Sequence, residues 1–147
     1  MDLKRLTLAA VVAWFVNLLY GMSVHVFLLG GELAKYTSAF RSEAAINAHV
    51  PGMLAGELFA IFVLAGIYSR GRGCDRGIVE GLRFGLLLGL FLAGFVSVHL
   101  YGALNIGGRL ALLGSASLVA QVTLIGAVIG ALYRPDATRS LPRKLLQ

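Results

Sequence analysis

The hydrophobic positions of this chain form four long runs, each bounded by charged or turn-forming residues. Their limits predict helices over residues 6–29, 51–69, 78–101 and 110–133. An α-helix needs about 20 mostly apolar residues to cross the hydrocarbon core of a bilayer, and all four runs are close to that length or longer. The pattern therefore predicts an all-α polytopic membrane protein, with four transmembrane helices in a compact bundle and a single domain over residues 1–147.

The segments between the runs are polar. Residues 30–50 are predicted to form the longest connection, and Pro51 is predicted to lie in the first turn of the second helix, where its missing N–H costs least. The second connection is short, basic and rich in glycine. After the fourth run, residues 134–147 form a basic tail.

The third run is the most regular, because small residues recur at every fourth position. The series is Gly77, Gly81, Gly85, Gly89, Ala93 and Ser97. Small residues let membrane helices approach closely, so Gly81, Gly85 and Gly89 are predicted to pack against another helix. Each four-residue step overshoots a turn of 3.6 residues by about 40°. The series therefore predicts one neighbouring helix for its first half and a different one for its second half.

Other runs share this spacing. Gly126 and Gly130 are predicted to pack near the end of the fourth helix. The second run carries the same series in Gly52, Gly56 and Ala60. Asn17 lies near the middle of the first run, where a side-chain amide must find a partner across a helix interface.

The composition fits a bilayer. Hydrophobic residues make up 58% of the 147 positions, against about 45–50% in soluble domains. The net charge is +6, but the basic residues lie at the ends of the apolar runs and form no patch with interleaved aromatics. The sequence therefore predicts the lipid bilayer, with its anionic headgroups, as a partner, and no binding to nucleic acid.

The distribution of Lys and Arg predicts the orientation. The N-terminus, the second connection and the tail carry two, three and four of them, whereas the first and third connections carry two and one. The positive-inside rule then places both termini in the cytoplasm. The only cysteine, Cys74, lies in the second connection and is predicted to be cytoplasmic and reduced.

Two short stretches indicate an internal repeat. Ser-Val-His-Val-Phe over residues 23–27 ends the first run, and Ser-Val-His-Leu-Tyr over residues 97–101 ends the third. The chain is therefore interpreted as a possible tandem repeat of a two-helix hairpin, with the halves in the same orientation.

The repeat gives a meaning to the polar residues near the outer face. His25, His49, His99 and Glu57 are predicted to share one layer, and they form the candidate site. Three imidazoles and a carboxylate can bind zinc, iron or copper, and His25 with His99 can ligate haem. Glu57 with a histidine can handle protons instead. Structural polar contacts between helices are the fourth interpretation.

Two glycine-containing segments resemble a known family. They are Gly-Leu-Arg-Phe-Gly-Leu-Leu-Leu-Gly over residues 81–89 and Ile-Gly-Ala-Val-Ile-Gly-Ala over residues 125–131. Together with the four-helix outline, they resemble a family of small uncharacterised bacterial inner-membrane proteins. The resemblance implies a location in the bacterial inner membrane and assigns no catalytic residue.

Three hypotheses of function follow. The first is a non-enzymatic membrane module or accessory subunit that binds another membrane protein or forms a homo-oligomer. The second is a small proton- or cation-coupled transporter that acts as a dimer through Glu57. The third is a redox component that binds haem or a transition metal through His25 and His99. No nucleophile-base pair, phosphate loop or cofactor fingerprint indicates a hydrolase or a nucleotide-dependent enzyme.

Overall fold

The chain is an all-α membrane protein. Its computed structural model describes residues 3–71 and 77–133, and these residues contain no strand. Four helices are long and apolar enough to cross a membrane: Leu3–Ala39, Glu43–Arg70, Ile78–Ala103 and Gly108–Leu132. The first to fourth helices below are these four segments. Cys74 and the tail, on which the sequence makes predictions, lie outside the described residues.

The first helix is longer than the apolar run predicts. It is α-helical over Leu3–Val24, π-helical over His25–Leu29, α-helical again over Gly30–Leu33 and 3-10 helical over Ala34–Ala39. The prediction of a connection over residues 30–50 is therefore wrong. Helical turns continue up to Ala39 and begin again at Glu43. Many polar residues have a helix propensity close to that of apolar residues, so the helix does not have to end where the apolar run ends.

The second helix begins eight residues before Pro51, so the placement of this proline in the first turn is also wrong. Ser42 is the N-cap, and its side-chain oxygen accepts a hydrogen bond from the backbone N–H of Ala45 at 3.4 Å. Glu43 in the first turn adds a favourable interaction with the helix dipole. These two signals start the helix early, and Pro51 lies within it, as membrane helices tolerate.

The bundle has two ends, which differ in the helix termini that they contain. The terminal end holds Leu3, Arg70 and Leu132, and the loop end holds Ala39 and Ala103. The terminal half and the loop half of each helix are named accordingly.

The third and fourth helices form the most extensive contact among the described residues. Gly81, Gly85 and Gly89 are buried there. A Cβ atom added to Gly85 would lie 2.5 Å from the carbonyl oxygen of Val122 and 2.8 Å from the Cα of Thr123. Both are backbone atoms, so they could move aside only if the helices separated.

The fourth helix meets this series with its own buried glycines, Gly126 and Gly130. A Cβ on Gly130 would lie 2.5 Å from the carbonyl oxygen of Gly77 and 2.9 Å from the Cα of Gly81. A Cβ on Gly126 would lie 2.9 Å from the Cα of Gly85. The two glycine series therefore interlock, and this is the close packing that the spacing predicts.

The second half of the small-residue series does not turn to a different neighbour, so that prediction is wrong. The third helix becomes π-helical over Ala93–Ser97, and this segment also packs against the fourth helix. A π-helical turn is wider than an α-helical turn, so each residue advances less around the axis. The wide turn thereby counteracts the drift of the four-residue series and keeps it facing one helix.

The main hydrophobic core lies in the terminal half, between the first, second and fourth helices. Its buried residues are Leu6, Ala9, Ala10, Ala13, Ile61, Ala65, Tyr68, Ile125, Ile129 and Tyr133. Alanines let the first two helices approach closely at this end. In the loop half, the second helix has no buried residue, and this asymmetry positions the candidate site.

Candidate functional site

Three polar side chains from three helices join in the middle of the bundle. Asn17, in the first helix, is only 5% exposed. Its Nδ2 donates a hydrogen bond to Oε2 of Glu57 at 3.1 Å, and its Oδ1 accepts one from Nε2 of Gln121 at 2.7 Å. We call Asn17, Glu57 and Gln121 the polar triad. It gives Asn17 partners across two helix interfaces.

The carboxylate sets the direction of both bonds in the polar triad. An ionised carboxylate can only accept hydrogen bonds, so the Asn17 amide must turn its NH₂ group towards Glu57. The Asn17 oxygen then faces Gln121, which must donate. The two hydrogen bonds of Asn17 therefore join the first, second and fourth helices.

The polar triad lies at similar depths on its three helices. Asn17, Glu57 and Gln121 are 14, 13 and 11 residues from the terminal ends of their helices, or about 16–21 Å at 1.5 Å per residue. A hydrocarbon core is about 30 Å thick, so the polar triad lies well inside it. Polar groups at this depth need internal partners, and the two bonds of Asn17 provide them.

Glu57 is only half-buried, because the polar triad forms the base of an open cleft of about 470 Å³. The cleft lies between the loop halves of the first and second helices. Its walls are mostly apolar, and they include Met22 and Met53. Gly21 also lines it, and a Cβ added there would meet nothing within 4 Å. His25 lies on its loop side.

A second cleft, of about 630 Å³, continues towards the loop end. It lies between the end of the first helix and the start of the second, and Phe40, Arg41 and Glu43 line it. His25 lines both clefts. The structure therefore brings His25 and Glu57, two of the predicted site residues, to the cleft above the polar triad.

The other two histidines of the predicted layer have separate surroundings. The Nδ1 of His49 lies 2.7 Å from the carbonyl oxygen of Ala45, and its Nε2 lies 3.3 Å from the Arg41 guanidinium. His99 is exposed, and its Nδ1 is hydrogen-bonded to the carbonyl oxygen of Phe95. Neither His49 nor His99 lines the cleft that contains Glu57.

The four predicted site residues do not form one metal site. Among residues 3–71 and 77–133, no group of three or more His, Cys, Asp or Glu is arranged to hold a metal ion. The sequence places these residues at similar heights, but height does not determine the direction in which each side chain points. Ligation of haem by His25 and His99 stays a prediction.

A second polar network closes the loop end. Glu32 is buried, and its Oε1 accepts a hydrogen bond from Nζ of Lys35 at 2.9 Å and lies 3.3 Å from Nη1 of Arg109. A Cβ on Gly107 would overlap the Tyr36 hydroxyl, so the Tyr36 side chain packs directly against the backbone at Gly107. The end of the first helix is therefore attached to the start of the fourth helix.

Sequence reasoning missed the role of Gln121. The signal was available, because Asn17, Glu57 and Gln121 are the strongly polar residues near the middle of three apolar runs. Matching their depths would have grouped them.

No family model, curated protein or solved structure matches the chain.

The two halves of the predicted repeat do not pack in the same way. The first and third helices each contain a π-helical segment next to the repeated Ser-Val-His motif, His25–Leu29 and Ala93–Ser97. The first segment begins at the histidine of its motif, whereas the second ends at the serine of its motif, so the two are not at equivalent positions. The first two helices also lack the interlocked glycines of the last two, so the repeat stays a prediction.

Proposed function

We propose that this protein is a non-enzymatic membrane module that acts as a homo-oligomer, assembled through the second helix. The observation that carries the proposal is an unpartnered small-residue face on that helix, formed by Gly52, Gly56 and Ala60. A Cβ added to Gly52 or Gly56 would meet nothing within 4 Å, and all three residues are exposed.

The third and fourth helices provide the comparison. There the same four-residue spacing is used for close packing, and a Cβ on Gly85 would strike backbone atoms of the fourth helix. In the second helix the same spacing is present, but no residue of the described segments 3–71 and 77–133 covers it. Small residues in a membrane helix allow a close helix contact that larger side chains would prevent.

This face is distinct from the side of the second helix that packs within the chain. At about 100° per residue, Gly56 lies roughly 140° around the helix from Ile61 and 180° from Ala65. Ile61 and Ala65 are buried in the core. The small-residue face can therefore be covered by another helix without any rearrangement of the bundle.

A second copy of the chain is the occupant that we propose. Most soluble oligomers close by twofold symmetry, in which one surface meets the same surface of its partner. Applied in the membrane plane, this symmetry places Gly52, Gly56 and Ala60 against their own counterparts. All three are small, so neither helix obstructs the other.

Gly56→Leu should weaken the homo-oligomer without unfolding the monomer. A leucine there would separate two packed helices, and overpacking of about 1–3 kcal/mol corresponds to roughly a tenfold to hundredfold rise in the dissociation constant. The measurement is fluorescence energy transfer between labelled copies in liposomes, as the ratio of protein to lipid is lowered. The melting temperature of the monomer should stay within about 2 °C.

Gly94→Leu is the matched control, because Gly94 is an exposed membrane glycine of the third helix that also has nothing within 4 Å of an added Cβ. It should leave association unchanged. Equal association of the wild type and of Gly56→Leu, or a wild type that stays monomeric at every dilution, would reject the proposed oligomer.

We further propose that the protein lies in the bacterial inner membrane with both termini in the cytoplasm. The distribution of Lys and Arg supports this orientation, and the family resemblance supports the location. A green fluorescent protein attached after Gln147 should be fluorescent, whereas alkaline phosphatase at the same position should be inactive. The same reporters inserted between residues 40 and 42 should give the opposite pattern. An active phosphatase after Gln147 would reverse the orientation.

One observation favours a second candidate function, coupled transport of a proton or cation through Glu57. This carboxylate keeps one oxygen outside the hydrogen bonds of the polar triad and lines an open cleft. Membrane-embedded carboxylates commonly mark ion or substrate pathways. This candidate requires the cleft to bind a cation, whereas the oligomer does not.

A further inference from the structure

The first and second helices are packed in one half and separated in the other. In the terminal half, Ala9 and Ala13 of the first helix and Ala65 of the second are fully buried. In the loop half, the two clefts that share His25 lie between these helices. The cleft that contains Glu57 is therefore bounded by packed helices towards the terminal end and is open in the loop half.

We propose that this opening binds a hydrophobic ammonium ion, with its charged group at Glu57 and its apolar chain between the loop halves of the first and second helices. The ligand class is a primary amine on an alkyl chain. Such a molecule carries one positive charge, three N–H donors and an apolar tail. Each of these features matches a part of the cleft.

The charge argument rests on Glu57. The cleft of about 470 Å³ has the polar triad at its base. Among the described residues that line this cleft, Glu57 is the only Asp, Glu, Lys or Arg. Its Oε2 accepts a hydrogen bond from Asn17, while its Oε1 accepts none from the described residues. A carboxylate beside apolar walls is costly to place in a membrane unless water, a donor or a cation accompanies it. An ammonium ion supplies both the charge and the donors.

The walls determine the rest of the ligand. Met22, Met53 and neighbouring aliphatic side chains dominate the cleft around Glu57. Methionine is flexible and polarisable, so it can adapt to apolar chains of different shape. The volume of about 470 Å³ is in the usual range for small-molecule sites, about 300–1,000 Å³. A small hydrated cation would leave these walls in contact with water or lipid, whereas an alkyl chain covers them.

The experiment uses the full chain in nanodiscs and two probes with the same tail. Decylamine carries the charge, and decanol is its neutral counterpart. Heat of binding is measured by titration calorimetry, with empty nanodiscs titrated in parallel to remove partitioning into lipid. The wild type should bind decylamine saturably with one site per chain, and it should show no saturable binding of decanol.

Two variants change different parts of the cleft. Glu57→Gln keeps the size of the side chain and an oxygen that can accept from Asn17, but it removes the charge. Gly21→Leu keeps the charge and fills part of the cleft, where nothing lies within 4 Å of an added Cβ. Each should raise the dissociation constant of decylamine at least tenfold. Glu80→Gln, on the third helix, is the control and should stay within twofold of the wild type.

Clear outcomes overturn the inference. If Glu57→Gln binds decylamine as tightly as the wild type, the charge does not hold the ligand. If decanol binds as tightly as decylamine, the opening is a groove for lipid chains. Should Glu57→Gln fail to fold, Gly21→Leu decides, because unchanged binding there would place the amine elsewhere. The oligomer test does not depend on any of these results.

Discussion

Replacing Gly85 with leucine should destabilise the bundle more than replacing Asn17 or an exposed glycine. The added Cβ alone would lie 2.5 Å from the carbonyl oxygen of Val122 and 2.8 Å from the Cα of Thr123. These are backbone atoms of a packed helix, so the third and fourth helices must separate to admit the side chain. Overpacking in a core typically costs about 1–3 kcal/mol, and leucine should reach the upper end of that range.

The measurement is the free energy of unfolding in mixed detergent micelles, with sodium dodecyl sulfate as the denaturant. Gly85→Ala should lose less than Gly85→Leu, because only the Cβ is added. Gly94→Leu should change the unfolding free energy by less than about 0.5 kcal/mol, as surface substitutions usually do. Equal stability of Gly85→Leu and the wild type would show that the two helices are not in close contact in the membrane.

Asn17→Leu should have the second-largest effect. It removes the bond to Glu57 at 3.1 Å and the bond from Gln121 at 2.7 Å together. Hydrogen bonds between membrane helices contribute about 0.6–1.7 kcal/mol each, and two polar partners are then left without Asn17. We expect a loss of about 1–3 kcal/mol in the same unfolding experiment.

Two comparisons identify the source of that loss. Gln121→Leu removes one of the bonds and should cost less than Asn17→Leu. The double variant of Asn17 and Gln121 should cost less than the sum of the two single changes, because they share one bond. Ser23→Ala is the control, since among the described residues the Ser23 hydroxyl donates only to the carbonyl oxygen of Leu19 in its own helix. Strictly additive losses would mean that Asn17 and Gln121 do not interact.

The glycine packing could be predicted from the sequence because spacing alone determines it. Gly81, Gly85 and Gly89 carry no side chain, so their function in a membrane helix depends only on which face they share. The partner face was also visible in Gly126 and Gly130. The direction in which the second half of the series faces could not be predicted from the sequence. A π-helical turn changes the angle between successive residues, and the residue pattern does not show where such a turn occurs.

The polar site was only partly predictable for a related reason. Depth in the membrane can be counted along each helix, and it correctly indicates that Asn17 needs a partner. Rotation about the helix axis depends on tertiary packing. His25, His99 and Glu57 were therefore grouped by height, while the structure joins Glu57 to Asn17 and turns His99 towards the backbone of its own helix.

The start of the second helix illustrates the limits of local signals. Pro51 is a strong marker of a first turn, but Ser42 and Glu43 provide a competing start eight residues earlier. Both positions obey the rules for helix N-termini. A helix that begins at the earlier signal gains two further turns, and a proline within a membrane helix does not prevent this.

The polar triad also sets an order of assembly during synthesis. A ribosome releases Asn17 and Glu57 in the first half of the chain, so their bond can form while the later helices are still being made. Gln121 and the glycines that cover the third helix arrive only with the fourth helix. A nascent chain interrupted before that segment exposes both an unpaired amide oxygen and a bare glycine surface to lipid. The fourth helix therefore both satisfies the Asn17 oxygen and covers the glycines of the third helix.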